Sequence, residues 1–297
     1  MRKALLAAGM ITAAVIAEEG SAGHGLLGRL RADPSTRTVK GQLDQHAFVF
    51  AAAGGRLTLK ARQAFAAEQY GVPFFCANPK IPPTVVEDTA GSAELFQYLT
   101  GAEKFAGPLL LDYATALGMT EEDLQAWHKS TATQSFQSYF ARLAFGGKHA
   151  AAAAACAIAF PPHARMYRRF SASLASESSY GYSGPTDKAL RFVNFFAFPN
   201  ETRLDEIAAA VIDREGATFD QLVEPVRLAQ QYSLAFWDSF APGVTGYAAE
   251  KAEVLPLAST EADASDNVTF TAREIEMSSD ATAVADSENK DLEKDEM

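Results

Sequence analysis

The sequence predicts an all-α fold, and three observations carry that prediction. Between about residues 38 and 247 the apolar side chains recur with the 3.6-residue period of a helix. No window there alternates with the two-residue period of a half-buried strand between turn signals. The run from Ala150 to Phe160 is almost wholly alanine and apolar, which suits a helix buried on every side.

The elements follow in order. Leu109, Leu110, Tyr113, Ala116 and Leu117 fall on one helical face, and Gly118 stands where that helix should end. Thr120 is placed to cap the next helix, with Glu121, Glu122 and Asp123 complementing its positive N-terminus. Thr133 to Ala144 repeats the pattern with Phe136, Tyr139, Phe140 and Leu143. Ala150 to Phe160 should lie at the centre of a bundle, and Pro161-Pro162 should break or kink the chain after it. Leu204 to Ile212 and Phe219 to Phe240 complete a set of about seven or eight helices.

The two ends differ from this middle. Met1-Arg2-Lys3 is a short basic start, and Ala4 to Ala17 follows without a charge. That is the shape of a secretory signal peptide, although an Ala-rich helix has the same composition. The run is short of the ~20 residues a membrane-spanning helix needs, so no stable membrane span is expected. Residues 1–37 are therefore expected to be a targeting segment or a disordered extension. The compartment stays open between the cytoplasm and, if the segment is a leader, the secretory pathway or an organelle. From 248 to 297 the chain is mainly Ala, Ser, Thr, Glu and Asp with Phe270 its one aromatic, and a disordered acidic tail is expected. The predicted domain spans 38–247.

Charge excludes one class of partner. The net charge is −11, but 248–297 holds 14 acidic and 4 basic residues, leaving 23 acidic and 22 basic over 1–247. A nearly neutral folded part lacks the positive surface that a phosphate backbone requires, so no nucleic acid is expected. Two cysteines, Cys76 and Cys156, exclude a disulfide scaffold, and five histidines leave little room for a multi-histidine centre. The phosphate-binding loop, the dinucleotide fingerprint, the serine elbow and the His-Glu-x-x-His pattern are all missing. Glu-x-x-His, which a carboxylate-bridged di-iron bundle needs, is missing too. His46 could serve as a haem ligand, but packing at a helix end accounts for it more simply. No metal and no cofactor are expected.

Cys156 is the residue of most chemical interest. It is either a small hydrophobe in a tight helix contact or a nucleophile facing a cavity. A nucleophile needs a partner to lower its pKa or move a proton. No histidine or lysine lies three or four residues before it, and His163 stands seven residues on, beyond the prolines.

The order of motifs resembles the TenA/PqqC (thiaminase II-like) superfamily. The opening 43–70, LDQHAFVFAAAGGRLTLKARQAFAAEQY, is similar to that family's helix ending in His-x-Phe, its Gly-containing turn and its Phe-x-x-Gln-Asp-Tyr helix. LLDYATALGMTEEDLQ, TATQSFQSYF, AAAAACAIAF and QYSLAFWDSF follow in matching order, so the resemblance covers about 40–240. It implies a haem-oxygenase-like multi-helical bundle and a site for a small heteroaromatic, thiamin-pyrimidine-like compound. Carried over residue by residue, it implies Cys156 as the nucleophile, with Gln69, Tyr70, Phe136, Phe160, Ser233 and Trp237 lining the substrate pocket.

The departures are chemical. Gln69 stands where the family's Asp holds the substrate's ring nitrogen and amine, and Ser233 stands where its acid/base Glu lies. Phe136 and Phe160 replace two tyrosines. A hydrolase would then need a substitute acid such as Glu68 or Asp112, or Tyr70 as a weak one. A non-catalytic ligand-binding or scaffolding member is the alternative, and a PqqC-like cofactorless oxidase is a second. The metal-dependent oxidase branch needs histidines in the closing helix, and 227–240 holds none. Assembly into a homo-oligomer is left open.

Overall fold

A computed structural model describes residues 21–70 and 92–241. The expected leader at 1–17 and the acidic tail at 248–297 lie outside the described residues. Eleven α-helices follow one another within the described residues: α1 (Ala22–Ala32), α2 (Pro34–Asp44), α3 (Ala47–Ala53), α4 (Leu59–Gln69), α5 (Ala93–Ala116), α6 (Glu121–Ala126), α7 (Thr131–Phe145), α8 (His149–Ser176), α9 (Arg191–Ala197), α10 (Glu201–Glu215) and α11 (Phe219–Phe240). The architecture is the all-α haem-oxygenase-like bundle. The excess over seven or eight comes from short helices such as α3, α6 and α9, and from α1 and α2. None of the described helices is long and apolar enough to cross a membrane.

Local signals hold where the chemistry is local. Gly118 adopts φ +74°, a backbone that side-chain-bearing residues avoid, and ends α5 as expected. Thr120 Oγ1 accepts from Asp123 N at 3.2 Å, and Asp123 Oδ2 accepts from Thr120 N at 2.8 Å. This capping box satisfies donors at both ends of the first turn of α6.

Two expectations need correction. The boundary at residue 38 falls inside α2, and the segment from Ala22 onward is part of the bundle. Leu27 and Leu30 of α1 are fully buried. Gly23 lets α1 approach α10 so closely that an added Cβ would lie 2.4 Å from Ala209 O. The composition of 29–40 is polar and basic because only one face of these helices is buried.

The second correction concerns Pro161-Pro162. The chain does not break there: α8 runs on to Ser176 with both prolines inside it. Pro161 has no N–H for the carbonyl four residues back, Ala157 O. That carbonyl instead accepts from Arg31 Nη2 of α1 at 3.2 Å, and the same nitrogen donates to Asp205 Oδ1 of α10 at 2.5 Å. A neighbouring helix supplies the donor that the proline lacks, so the helix survives.

α8 is the axis of the bundle, buried along most of its length, with α10 and α11 packed against it. The register of α7, α8 and α11 can be read from side-chain pairs. Phe136 and Phe140 of α7 meet His163 and Phe160 of α8 at 5.8 Å each, so these two helices run antiparallel. Ser233 and Trp237 of α11 meet His163 and Tyr167, so α8 and α11 run parallel. Above this level Phe48, Phe65, Phe170, Trp237 and Phe240 interlock edge to face and in tilted pairs, which fixes α3 and α4 to the core.

Candidate functional site

Because α8 is continuous, Cys156, Phe160, His163 and Tyr167 occupy positions i, i+4, i+7 and i+11 of one helix face. Cys156 and His163 are seven residues apart, about 10 Å along the axis. The facing stripe of α11 carries Gln230, Ser233 and Trp237 at i, i+3 and i+7.

His163, which a break at the prolines would take off the face of Cys156, is the hub. Its Nδ1 lies 2.7 Å from Ser233 Oγ and receives the Trp237 Nε1–H at 3.2 Å. An indole nitrogen can only donate, so Nδ1 is the acceptor and the imidazole proton sits on Nε2. The ring stacks on Phe136 at 5.8 Å and 10° and on Phe236 at 5.8 Å and 26°. Phe136 and Phe236 are themselves 5.5 Å apart, so the three near-parallel rings form a triangle with no slot between them. Burial holds the His163 pKa down at about 3, so the imidazole is neutral throughout the physiological range.

Cys156 is fully buried and is a free thiol. Burial pushes its pKa well above the usual thiol value, and the negative charge of Glu103 on α5 pushes the same way. Both effects keep the sulfur protonated, the reverse of what activates a cysteine nucleophile.

Of the expected pocket residues, Phe136, Ser233 and Trp237 meet at His163, and Phe160 joins them through Phe140, 5.2 Å from Phe136. Gln69 ends α4 one turn after Phe65, and its Nε2 is buried with no hydrogen-bond partner. Tyr70 stands apart: its hydroxyl donates to Glu121 Oε1 at 2.7 Å, on the α6 side.

The substitute acids are otherwise engaged. Glu68 is 4 % exposed, and its carboxylate accepts from Trp127 Nε1 at 3.0 Å, from Ser130 N at 3.1 and 3.2 Å and from Ser130 Oγ at 3.2 Å. It therefore anchors the start of α7. Asp112 pairs with Lys188 at 3.1 Å on the outside. Lys129 donates to the carbonyls of Glu68 and Tyr70 at the end of α4, and burial lowers its pKa to about 8 against the opposing pull of Glu68. His46 caps α3 through Nδ1 and reaches Asp238 Oδ1 at 3.3 Å through Nε2, which is the packing role expected for it.

The TENA/THI-4/PQQC family matches over residues 34–240. The chain belongs to this family. It is also similar in structure to the TenA homologue protein from P. horikoshii OT3. The TM-score is 0.50 and the identity 15 %, covering 73 % of this chain and 99 % of that one. At that identity the likeness speaks for the fold alone. No curated protein matches the chain. Gln69 and Ser233, both expected in the pocket, are neutral side chains. Two surface clefts among the described residues lie elsewhere. One is a groove beside Leu26, Arg29 and Phe219, and the other is a cleft beside Ser135, Arg142 and Tyr232.

Proposed function

We propose that this chain is a divergent thiaminase II-like protein that binds a small flat heteroaromatic compound in the core cluster of α7, α8 and α11 and does not hydrolyse aminopyrimidines efficiently. The observation that carries this reading is the 2.7 Å contact of Ser233 with His163. Where the resemblance places a carboxylate that moves protons, this chain has a hydroxyl tied to a neutral imidazole. Neither group titrates near neutral pH, and the Cys156 thiol is held protonated. Losing a proton-transfer group commonly costs roughly 10²–10⁴-fold in rate. The rings of Phe136, Phe160 and Trp237 suit stacking on a flat apolar ligand.

The test is ammonia release from an aminomethylpyrimidine by the full-length protein. Little or no turnover is expected, and the double change Gln69→Asp with Ser233→Glu should raise any trace that Cys156→Ser then abolishes. Robust turnover by the parent, lost in Cys156→Ser, would favour a retained hydrolase. In that case Glu103, the charge that Cys156 senses, is the acid/base to test next.

A further inference from the structure

Gln230 is anomalous for a core residue. Its side chain is fully buried, and neither Oε1 nor Nε2 has a hydrogen-bond partner. A buried amide left unpaired destabilises a fold, and an apolar side chain of the same length would avoid that cost. Gln230 lies one turn before Ser233 on the same face of α11. By the register of the three helices it falls at the level of the Phe140–Phe160 pair, between Cys156 and His163.

A second observation points to the same place. The His163 proton is fixed on Nε2 by the two donors that occupy Nδ1. Nε2–H has no hydrogen-bond partner among the described residues, and the ring keeps some accessible surface although aromatic rings crowd it. Set against the Gln230 and His163 N–H donors is one unpaired amide acceptor, Gln230 Oε1.

That balance is the opposite of a carboxylate-lined site. A carboxylate accepts hydrogen bonds and favours amidine-like, cationic ligands. Neutral N–H groups among aromatic rings offer nothing to compensate a buried cation, which is costly to desolvate. They are matched by carbonyl oxygens and ring nitrogens. A planar lactam edge, C=O beside N–H, pairs with both ends of one glutamine amide. Its carbonyl keeps a second lone pair for another donor.

We infer that Gln230 and His163 read the ligand of this core cluster, and that they select an uncharged, carbonyl-bearing heteroaromatic lactam over its amino analogue. The inference rests on the core cluster being the ligand site. Because the rings close on one another in this structure, a ligand must part them on entry, and small compounds are the suitable probes.

The experiment is calorimetric titration of the full-length protein with 2-methylpyrimidin-4-one and with 4-amino-2-methylpyrimidine, which differ by one exocyclic group. The oxo compound should bind at least about tenfold more tightly. Gln230→Met should lose about tenfold in affinity for it while melting no lower than the parent, since an orphaned amide has been removed. His163→Phe, which keeps the ring stack and deletes the donor, should abolish the preference between the two compounds. Equal or tighter binding of the amino compound overturns the inference and leaves the ligand site standing. So does unchanged affinity in Gln230→Met. A lower melting temperature for Gln230→Met would show that the amide is satisfied within the fold, and also overturns it. Binding of neither compound removes the proposed ligand site itself, and the inference with it.

Discussion

His163 Nδ1 accepts from Ser233 Oγ at 2.7 Å and from Trp237 Nε1 at 3.2 Å, which fixes one tautomer of a buried neutral imidazole between two parallel helices. Ser233 is itself fully buried, and its proton goes to a nitrogen whose own pKa is about 3.

A pH dependence of stability follows from that depressed pKa. In the unfolded chain His163 takes up a proton as pH falls through its ordinary value of 6.5, whereas the folded chain resists until about 3. The unfolded state therefore binds more protons between those limits, so stability rises with pH across the window and is lost as pH falls below 6.5. The slope from this group approaches about 1.4 kcal/mol per pH unit. His163→Phe should remove that slope. Urea unfolding of parent and variant between about pH 4.5 and 7.5 should give curves that converge on acidification. Parallel curves would mean that the imidazole titrates normally in the fold.

Cys156 should be chemically quiet. Its thiol is buried and its pKa is pushed up by burial and by Glu103. With Cys76 replaced by Ser, alkylation of the native protein by iodoacetamide should be at least ~100-fold slower than in denaturant and should follow the opening of the bundle. Rapid native labelling would reveal an accessible thiolate and reopen the nucleophile reading.

The chemistry that was legible in the sequence was the chemistry that acts over one or two turns. The Thr120–Asp123 box and the left-handed Gly118 depend only on neighbouring residues, and both occur as expected. The continuity of the helix through Pro161 is invisible locally, because the donor for Ala157 O comes from Arg31, 126 positions before that carbonyl. That continuity has a consequence for the site. A break at the prolines removes His163 from the face of Cys156, whereas a continuous helix restores it at i+7. Gln230 gave no signal because one amide among apolar residues looks like any partly exposed glutamine until its burial is known. The separation of Phe136, Ser233 and Trp237 along the chain gave no hint of their meeting except through family resemblance.

Glu68 and Asp112 separate a structural carboxylate from a surface one. Glu68 is nearly inaccessible and accepts from Trp127 and from the Ser130 backbone and hydroxyl. Glu68→Ala strands those donors in the interior and should cost about 3 kcal/mol; Glu68→Gln, which keeps an acceptor, should cost less. Asp112 pairs with a Lys188 whose side chain is 72 % exposed. Asp112→Asn should therefore change stability by no more than about 0.5 kcal/mol. Chemical denaturation of the three variants decides it, and a large effect at Asp112 alone would reverse the assignment.

The continuity of α8 through its prolines makes the sharpest test of the fold. If Arg31 holds Ala157 O in place of the missing Pro161 N–H, the two positions are energetically coupled. Arg31→Leu alone leaves that carbonyl without its donor and Asp205 without its partner. The guanidinium side chain is 41 % exposed, so water replaces part of what is lost, and the cost should be about 1–2 kcal/mol. Pro161→Ala restores an N–H that can reach Ala157 O, and it relieves the ring's clash with the preceding turn. In that background Arg31→Leu should cost less, by a coupling of about 0.5–1 kcal/mol, because the carbonyl no longer depends on α1. The comparison needs urea unfolding of the parent, both single variants and the double variant. Equal costs of Arg31→Leu in the two backgrounds would mean that the helix tolerates its prolines for another reason, and that the Arg31 bond to Ala157 is incidental to the ion pair with Asp205.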